Sequence, residues 1–212
     1  MFGKPTPGYT TAAATGDTVV LLIGMRINRF RGIHHWGPVM LAMLKMLNEL
    51  GKAPERGLRA HVLLTASPRT YYVVQYWESK EKLYAYATAS DAFHHKAWGI
   101  VNRKVRGGKT RQHVGLWHET YVAPEGSYES IYFDMPPFGL AAATGSLPLD
   151  RRGRRATDRF AFRSKDSKGS KDSKGSNGSN GEGAAVPSEG SLPSGAASVA
   201  AAEASAAEEK AR

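Results

Sequence analysis

The chain has 212 residues, with 29 Lys and Arg against 19 Asp and Glu, a formal charge of +10 and no cysteine. Without cysteine, disulfides, thiol catalysis and thiolate metal sites are excluded. No apolar run approaches the roughly 20 residues needed to cross a bilayer, and the opening MFGKPTPGYTTAAATGD lacks the apolar core of a secretory signal, so a soluble cytoplasmic protein is expected.

The first strong signal is DTVVLLIGMRIN, residues 17–28. It is too short for a membrane and reads as a strand buried on both faces, with Arg26 near its exit. WGPVMLAMLKMLNELGK follows, with Val39, Met40, Met43, Leu44, Leu47 and Leu50 at helical spacing. Pro38 suits a first turn and Gly51 a stop, while the methionines read as core filler. LRAHVLLTAS and RTYYVVQYWE, divided at Pro68, predict an antiparallel hairpin. Ser79 is placed to cap a helix through SKEKLYAYATA, and Asp91 to cap another through HHKAWGIVNRKV. QHVGLWHETYVA reads as the last strand, and PEGSYESIYFDMPPFGL as extended and irregular.

Beyond Asp150 apolar residues give way to Arg, Lys, Ser, Gly and Ala. The repeat SKDSKGSKDSKGSNGSNG has nothing to bury against the entropy of ordering. Residues 149–212 are therefore predicted to be a disordered tail and residues 1–148 a single domain large enough for a core. Within the tail, residues 151–174 hold ten Lys and Arg against three Asp and Glu. A solubilising role is the plainer reading of this basic arm; contact with a polyanion is the other.

The order strand, helix, strand, strand, broken helix, strand is that of the α+β, ferredoxin-like β-α-β-β-α-β unit. Helices cover one face of such a sheet. Here both faces look apolar, so a second sheet should cover the other, most simply in a homodimer forming an α+β barrel.

Two stretches carry candidate chemistry. On a helix starting after Asp91, His94, Trp98, Val101 and Val105 share a stripe, whereas His95 aligns with Asp91 and Asn102 toward water. On the strand GLWHETY, His118 and Glu119 point to opposite faces. The plain alternative for Glu119 is an ion pair with Arg26 across the sheet; for His94 it is a half-buried, hydrogen-bonded imidazole.

Taken together and in order, LLIGMRINRF, VQYWESKEKLYAYA, HHKAWGIVNR and VGLWHETYVAPEGSYESIYFDMPPFGL resemble the fumagillin-pathway-type monooxygenases, which group with the antibiotic-biosynthesis monooxygenases of the dimeric α+β barrel superfamily. The resemblance spans about Thr11 to Gly145 and does not include the tail. It implies the dimeric barrel, an oxygenase role on a small apolar, secondary-metabolite-like substrate with dioxygen, and His94 paired with Trp98 as the site histidine.

Oxygenation without a metal or flavin needs a base, a group that stabilises the resulting anion, and exclusion of water. Histidine suits the first task, and Arg26 or tryptophan and tyrosine donors the second. Trp36, Tyr76, Trp77, Trp117 and Tyr121 are candidates to line a pocket with Trp98. The resemblance also leaves room for haem, since aldoxime dehydratases and chlorite dismutases share the superfamily, with His94 as axial ligand and Arg26 or Arg29 near a propionate. A dimer that binds a small ligand without turning it over is the non-catalytic alternative.

Overall fold

The computed structural model describes residues 3–89 and 112–162. Its principal sheet has four antiparallel strands: β2 (Thr18–Ile27), β3 (Leu58–Ser67), β4 (Thr70–Trp77) and β5 (Val114–Ala123), in the order β3-β4-β2-β5. That is the strand order of the split βαβ unit. β3 and β4 form the expected hairpin across Pro68 and Arg69.

Register decides which side chains share a face, because directly opposed residues project to the same side. Val19, Leu21, Ile23, Met25 and Ile27 of β2 alternate with Val20, Leu22, Gly24 and Arg26. The first set faces the helices. Helix α1 (Ile33–Lys52) lays Trp36, Val39 and Met40 against Met25, Ile27 and Val114, and places Leu50 in a cluster with Val19, Trp77, Leu83 and Tyr86. Leu83 and Tyr86 come from helix α2 (Lys80–Thr88), whose first turn is closed by the Ser79 side chain accepting from the Lys82 amide at 3.2 Å.

α1 departs from the sequence reading at both ends. It begins five residues before Pro38, so the proline sits in its second turn and removes only the amide that would bond to the His34 carbonyl. Gly51 lies inside the helix, which runs on to Lys52 and is capped at Ala53 before Pro54. At the start, the Trp36 indole donates to the Phe30 carbonyl at 3.2 Å, and the His35 ring stacks on His113 at 4.3 Å.

Burial pushes the Tyr86 phenol up to about 12, with Glu49 adding to the shift and Arg56 opposing it. Because the folded value lies above the ordinary one near 10, stability from this group is whole below about pH 10 and is lost as pH rises toward 12. Alkaline denaturation of Tyr86→Phe should therefore show a shallower decline of stability in that window.

A second, three-stranded sheet was not foreseen. β1 (Tyr9–Ala12) lies between β6 (Tyr132–Phe133) and β7 (Ser146–Pro148), antiparallel to both. The stretch expected to be irregular thus supplies β6 and leads into a short helix, Leu140–Thr144. Ala12, Ala14, Leu140 and Ala141 form a small core against which Tyr76 packs from the far face of the large sheet.

Residues 149–162, assigned to the tail by composition, are folded against this small sheet. Leu149 is buried, and the helix Ala156–Ala161 inserts Arg159, which is 6% exposed. Its guanidinium donates to the Glu129 carboxylate at 2.7 Å and to the carbonyls of Gly153 and Arg154 at 3.3 and 2.8 Å. A charge count reads this arginine as solvated, but three acceptors make its burial tolerable.

Gly24 marks the tightest approach on the far face. A Cβ there would lie 2.7 Å from Tyr72 Cβ and 2.8 Å from Trp117 Nε1. Gly24→Ala should cost about 1–3 kcal/mol through overpacking, read as a lower midpoint in urea at unchanged slope. Among the described residues, no helix is long and apolar enough to cross a membrane.

Candidate functional site

Between α1 and the helix-facing side of the sheet lies a cavity of about 190 Å³. α1 contributes Val39, Met40, Ala42, Met43, Leu44 and Met46; the sheet contributes Ile23, Met25, Val73, Leu63, Leu116 and His118, with Tyr71, Tyr72 and Trp117 at its border. Methionine suits such a wall, because its unbranched thioether adapts to irregular space. All four methionines border the cavity; Met25 and Met46 are also buried, and of the α1 methionines read as core filler it is Met46 that is buried.

His118 is the imidazole on this wall. It stands opposite Ile23, which stands opposite Val73, which stands opposite Leu63, so one row of side chains crosses all four strands under α1. Leu116 and Leu63, at 37% and 53% exposure, leave apolar side chains accessible at both outer strands.

Most of the other described residues predicted for the site lie elsewhere. Glu119 faces the opposite side, across from Leu22 rather than Arg26, and accepts from the Tyr121 hydroxyl at 2.7 Å. The alternative Glu119–Arg26 pair does not form: Arg26 stands opposite Gly115, and Glu119 bonds within β5 instead. That bond raises the Tyr121 phenol above its ordinary value, the nearby carboxylate charge adding to it. Arg26 is exposed on the far face, away from the cavity.

The aromatic set also divides. Trp77 faces α1 but is 3% exposed in the core, its indole donating to Gln75 Oε1 at 2.9 Å. Tyr76 packs under the small sheet, where burial first and Tyr132 second raise its phenol. Trp36 closes the start of α1, and Trp117 lies across Gly24 and beside Tyr72, with ring centroids 5.9 Å apart. Of the set, Trp117 borders the cavity. His94, His95 and Trp98 lie outside the described residues.

Sequence reasoning missed His61, Asn48 and Lys52, which line a second cavity that shares Leu44 and Leu63 with the first. The signal was present: in LRAHVLL, His61 and Leu63 share one side of β3 by simple alternation. Burial beside α1 lowers the His61 imidazole below its ordinary value. Among the described residues, no cluster of His, Asp and Glu could hold a metal ion.

Comparison with known proteins gives this geometry a family. The curated protein Monooxygenase af470 of Aspergillus fumigatus is 26% identical over 144 residues, covering 65% of this chain and 49% of its own length. The chain therefore spans about half the length of that relative. Among solved structures, the aldoxime dehydratase OxdRE, crystallised with butyraldoxime, is 16% identical with a TM-score of 0.49, over 69% of this chain and 40% of its own. SnoaB, a cofactor-independent oxygenase from Streptomyces nogalater, is 11% identical with a TM-score of 0.29, over 50% of this chain and 91% of its own. Residues 18–140, from the first strand of the large sheet to the start of the short helix, match one family throughout, and the chain belongs to the Monooxygenase af470-like family.

Proposed function

We propose that this protein is a monooxygenase that holds a small apolar organic substrate between α1 and the four-stranded sheet, with His118 as its proton acceptor. One observation carries the reading: an apolar cavity with an imidazole on its wall, in a chain of a monooxygenase family. His118 removes a proton from an activated C–H or O–H, leaving an electron-rich anion. That anion passes one electron to dioxygen, the radical pair combines to a peroxide, and loss of water leaves a carbonyl. In sum, R–CH2–R′ and O2 give R–CO–R′ and H2O, and the substrate itself supplies every electron that dioxygen accepts, so neither metal nor flavin is required. The apolar walls exclude water from the anion. By the resemblance, His94 and Trp98 also belong beside the substrate.

The test is oxygen uptake by the purified protein with enolisable apolar ketones, using labelled dioxygen. Uptake with one labelled atom in the product is expected. A ketone that binds in the cavity without oxygen uptake would refute the reading, and a Soret band in the purified protein would move the chemistry to haem.

The same proposal includes a homodimer. Leu22 and Val74 pair at the centre of the large sheet, yet both are only half-buried, on the face away from α1. A central apolar pair left half-wet wants a second layer, and a copy of the same sheet supplies one. Val74→Asp should then halve the mass seen by light scattering at micromolar concentration; a wild-type monomer under those conditions would contradict the dimer.

A further inference from the structure

The cavity under α1 has a neighbour on the β3 side. Leu44 and Leu63 are shared with a second cavity of about 440 Å³, on which Asn48, Lys52 and His61 also open. The two differ in chemistry. Apart from His118 the first has no ionisable group other than tyrosine among its described lining residues, whereas the second carries an amide, an ammonium and an imidazole. Neither has a carboxylate among its described lining residues.

Their arrangement is linear. The row His118–Ile23–Val73–Leu63 crosses three inter-strand gaps, a span of roughly 14 Å. His61 lies two residues before Leu63 on the same face of β3, and Asn48 and Lys52 are one turn apart on α1. A molecule lying along the row therefore has His118 near one end and Lys52 near the other, with aliphatic side chains between.

We infer that the substrate is an elongated amphiphile, an apolar body ending in a carboxylate, with the body along the His118–Leu63 row and the carboxylate at Lys52 and Asn48. This rests on the reading of the cavity as the substrate site and names the class of molecule it takes. Lys52 has no carboxylate partner among the described residues, whereas the nearby Arg56 is paired with Glu49 at 3.9 Å. Lys52 also sits in the last turn of α1, where the helix carries about half a negative charge. The full charge of the ammonium outweighs it, and the mobile stem can carry that charge away from the helix axis toward the cavity. Asn48 adds two N–H donors. Partial desolvation disfavours the charged form of His61, whereas the Lys52 ammonium is the standing positive charge at this end.

The test measures binding rather than turnover, so the failure of the oxygenase reading would leave its result unchanged. Dodecanoate and dodecan-1-ol, below the micelle concentration of the acid, are titrated calorimetrically into the full chain. The acid should bind at least tenfold more tightly than the alcohol. Lys52→Gln should abolish that preference by weakening the acid far more than the alcohol, and Met43→Trp, which fills the cavity, should weaken both. Equal affinity for acid and alcohol, no binding of either, or indifference of both to Met43→Trp would overturn the inference. A preference that survives Lys52→Gln would also overturn it, because the general field of a +10 chain would then be its source.

Discussion

Replacing His118 with alanine should slow oxygen consumption by roughly 10²–10⁴-fold, the usual contribution of a positioned general base, with the protein folded and its mass unchanged. The imidazole is exposed on an outer strand and touches the cavity rather than the core, so its loss should alter stability by less than about 0.5 kcal/mol. Two controls give the result its meaning. Glu119→Gln alters the neighbouring residue on the opposite face, and its rate should stay near wild type. His95→Ala should be equally silent. His94→Ala is the competitor: if its rate collapses while that of His118→Ala is unchanged, the base is His94 and the imidazole on β5 is a bystander. Added imidazole restoring part of the His118→Ala rate would mark the missing group as a proton acceptor.

Truncation after Pro148 should be far more damaging than truncation after Phe162. Ending the chain at 162 keeps every residue of the small sheet and of the helix Ala156–Ala161. Ending it at 148 removes Leu149 from its buried site, the Arg152 guanidinium from the Ala14 carbonyl, and Arg159 from Glu129. Arg159→Met isolates the last of these. The Arg159 side chain is 5% exposed and that of Glu129 24%. Glu129 would therefore keep its charge in a largely dry place without a counter-ion, at a cost of about 3 kcal/mol, the low end for breaking a buried pair because water still reaches the carboxylate. Urea denaturation of the two truncations and of Arg159→Met tests this. Equal stability of all three with the full chain would show that residues 149–162 rest on the domain without supporting it.

Local patterns were legible wherever the information lies within one element. The aliphatic run of β2, the hairpin at Pro68 and the Ser79 cap follow from period, turn chemistry and spacing, and each occurs where expected. The start of α1 was misplaced because no side chain caps it and the proline drew the boundary toward itself. β1 escaped notice because YTTA is four residues with no alternation, and its partners lie far along the chain. The site was half legible. Alternation parts His118 from Glu119 but does not tell which of them faces α1, and the aromatic residues were pooled as one wall although Tyr76 and Trp77 are adjacent in a strand and must part to opposite faces. Arg159 stayed hidden because burial of a charge depends on three acceptors that sequence order does not bring together.

The small sheet sets an order of assembly. β1 is made before β2, yet its partners β6 and β7 come only after the whole large sheet has been synthesised. The Thr11 hydroxyl donates to the carbonyl of Ser130, 119 residues later. During vectorial synthesis the large sheet can therefore close while β1 still waits with its backbone donors and acceptors in water, and the ribosome must release the chain through Pro148 before that strand is sealed. Contacts between such distant residues form slowly, because the loop must close before any pairing rewards it. In refolding, protection of the Thr10, Thr11 and Ala12 amides from hydrogen exchange should lag behind that of Val19 to Met25, so that the first strand written becomes the last one locked.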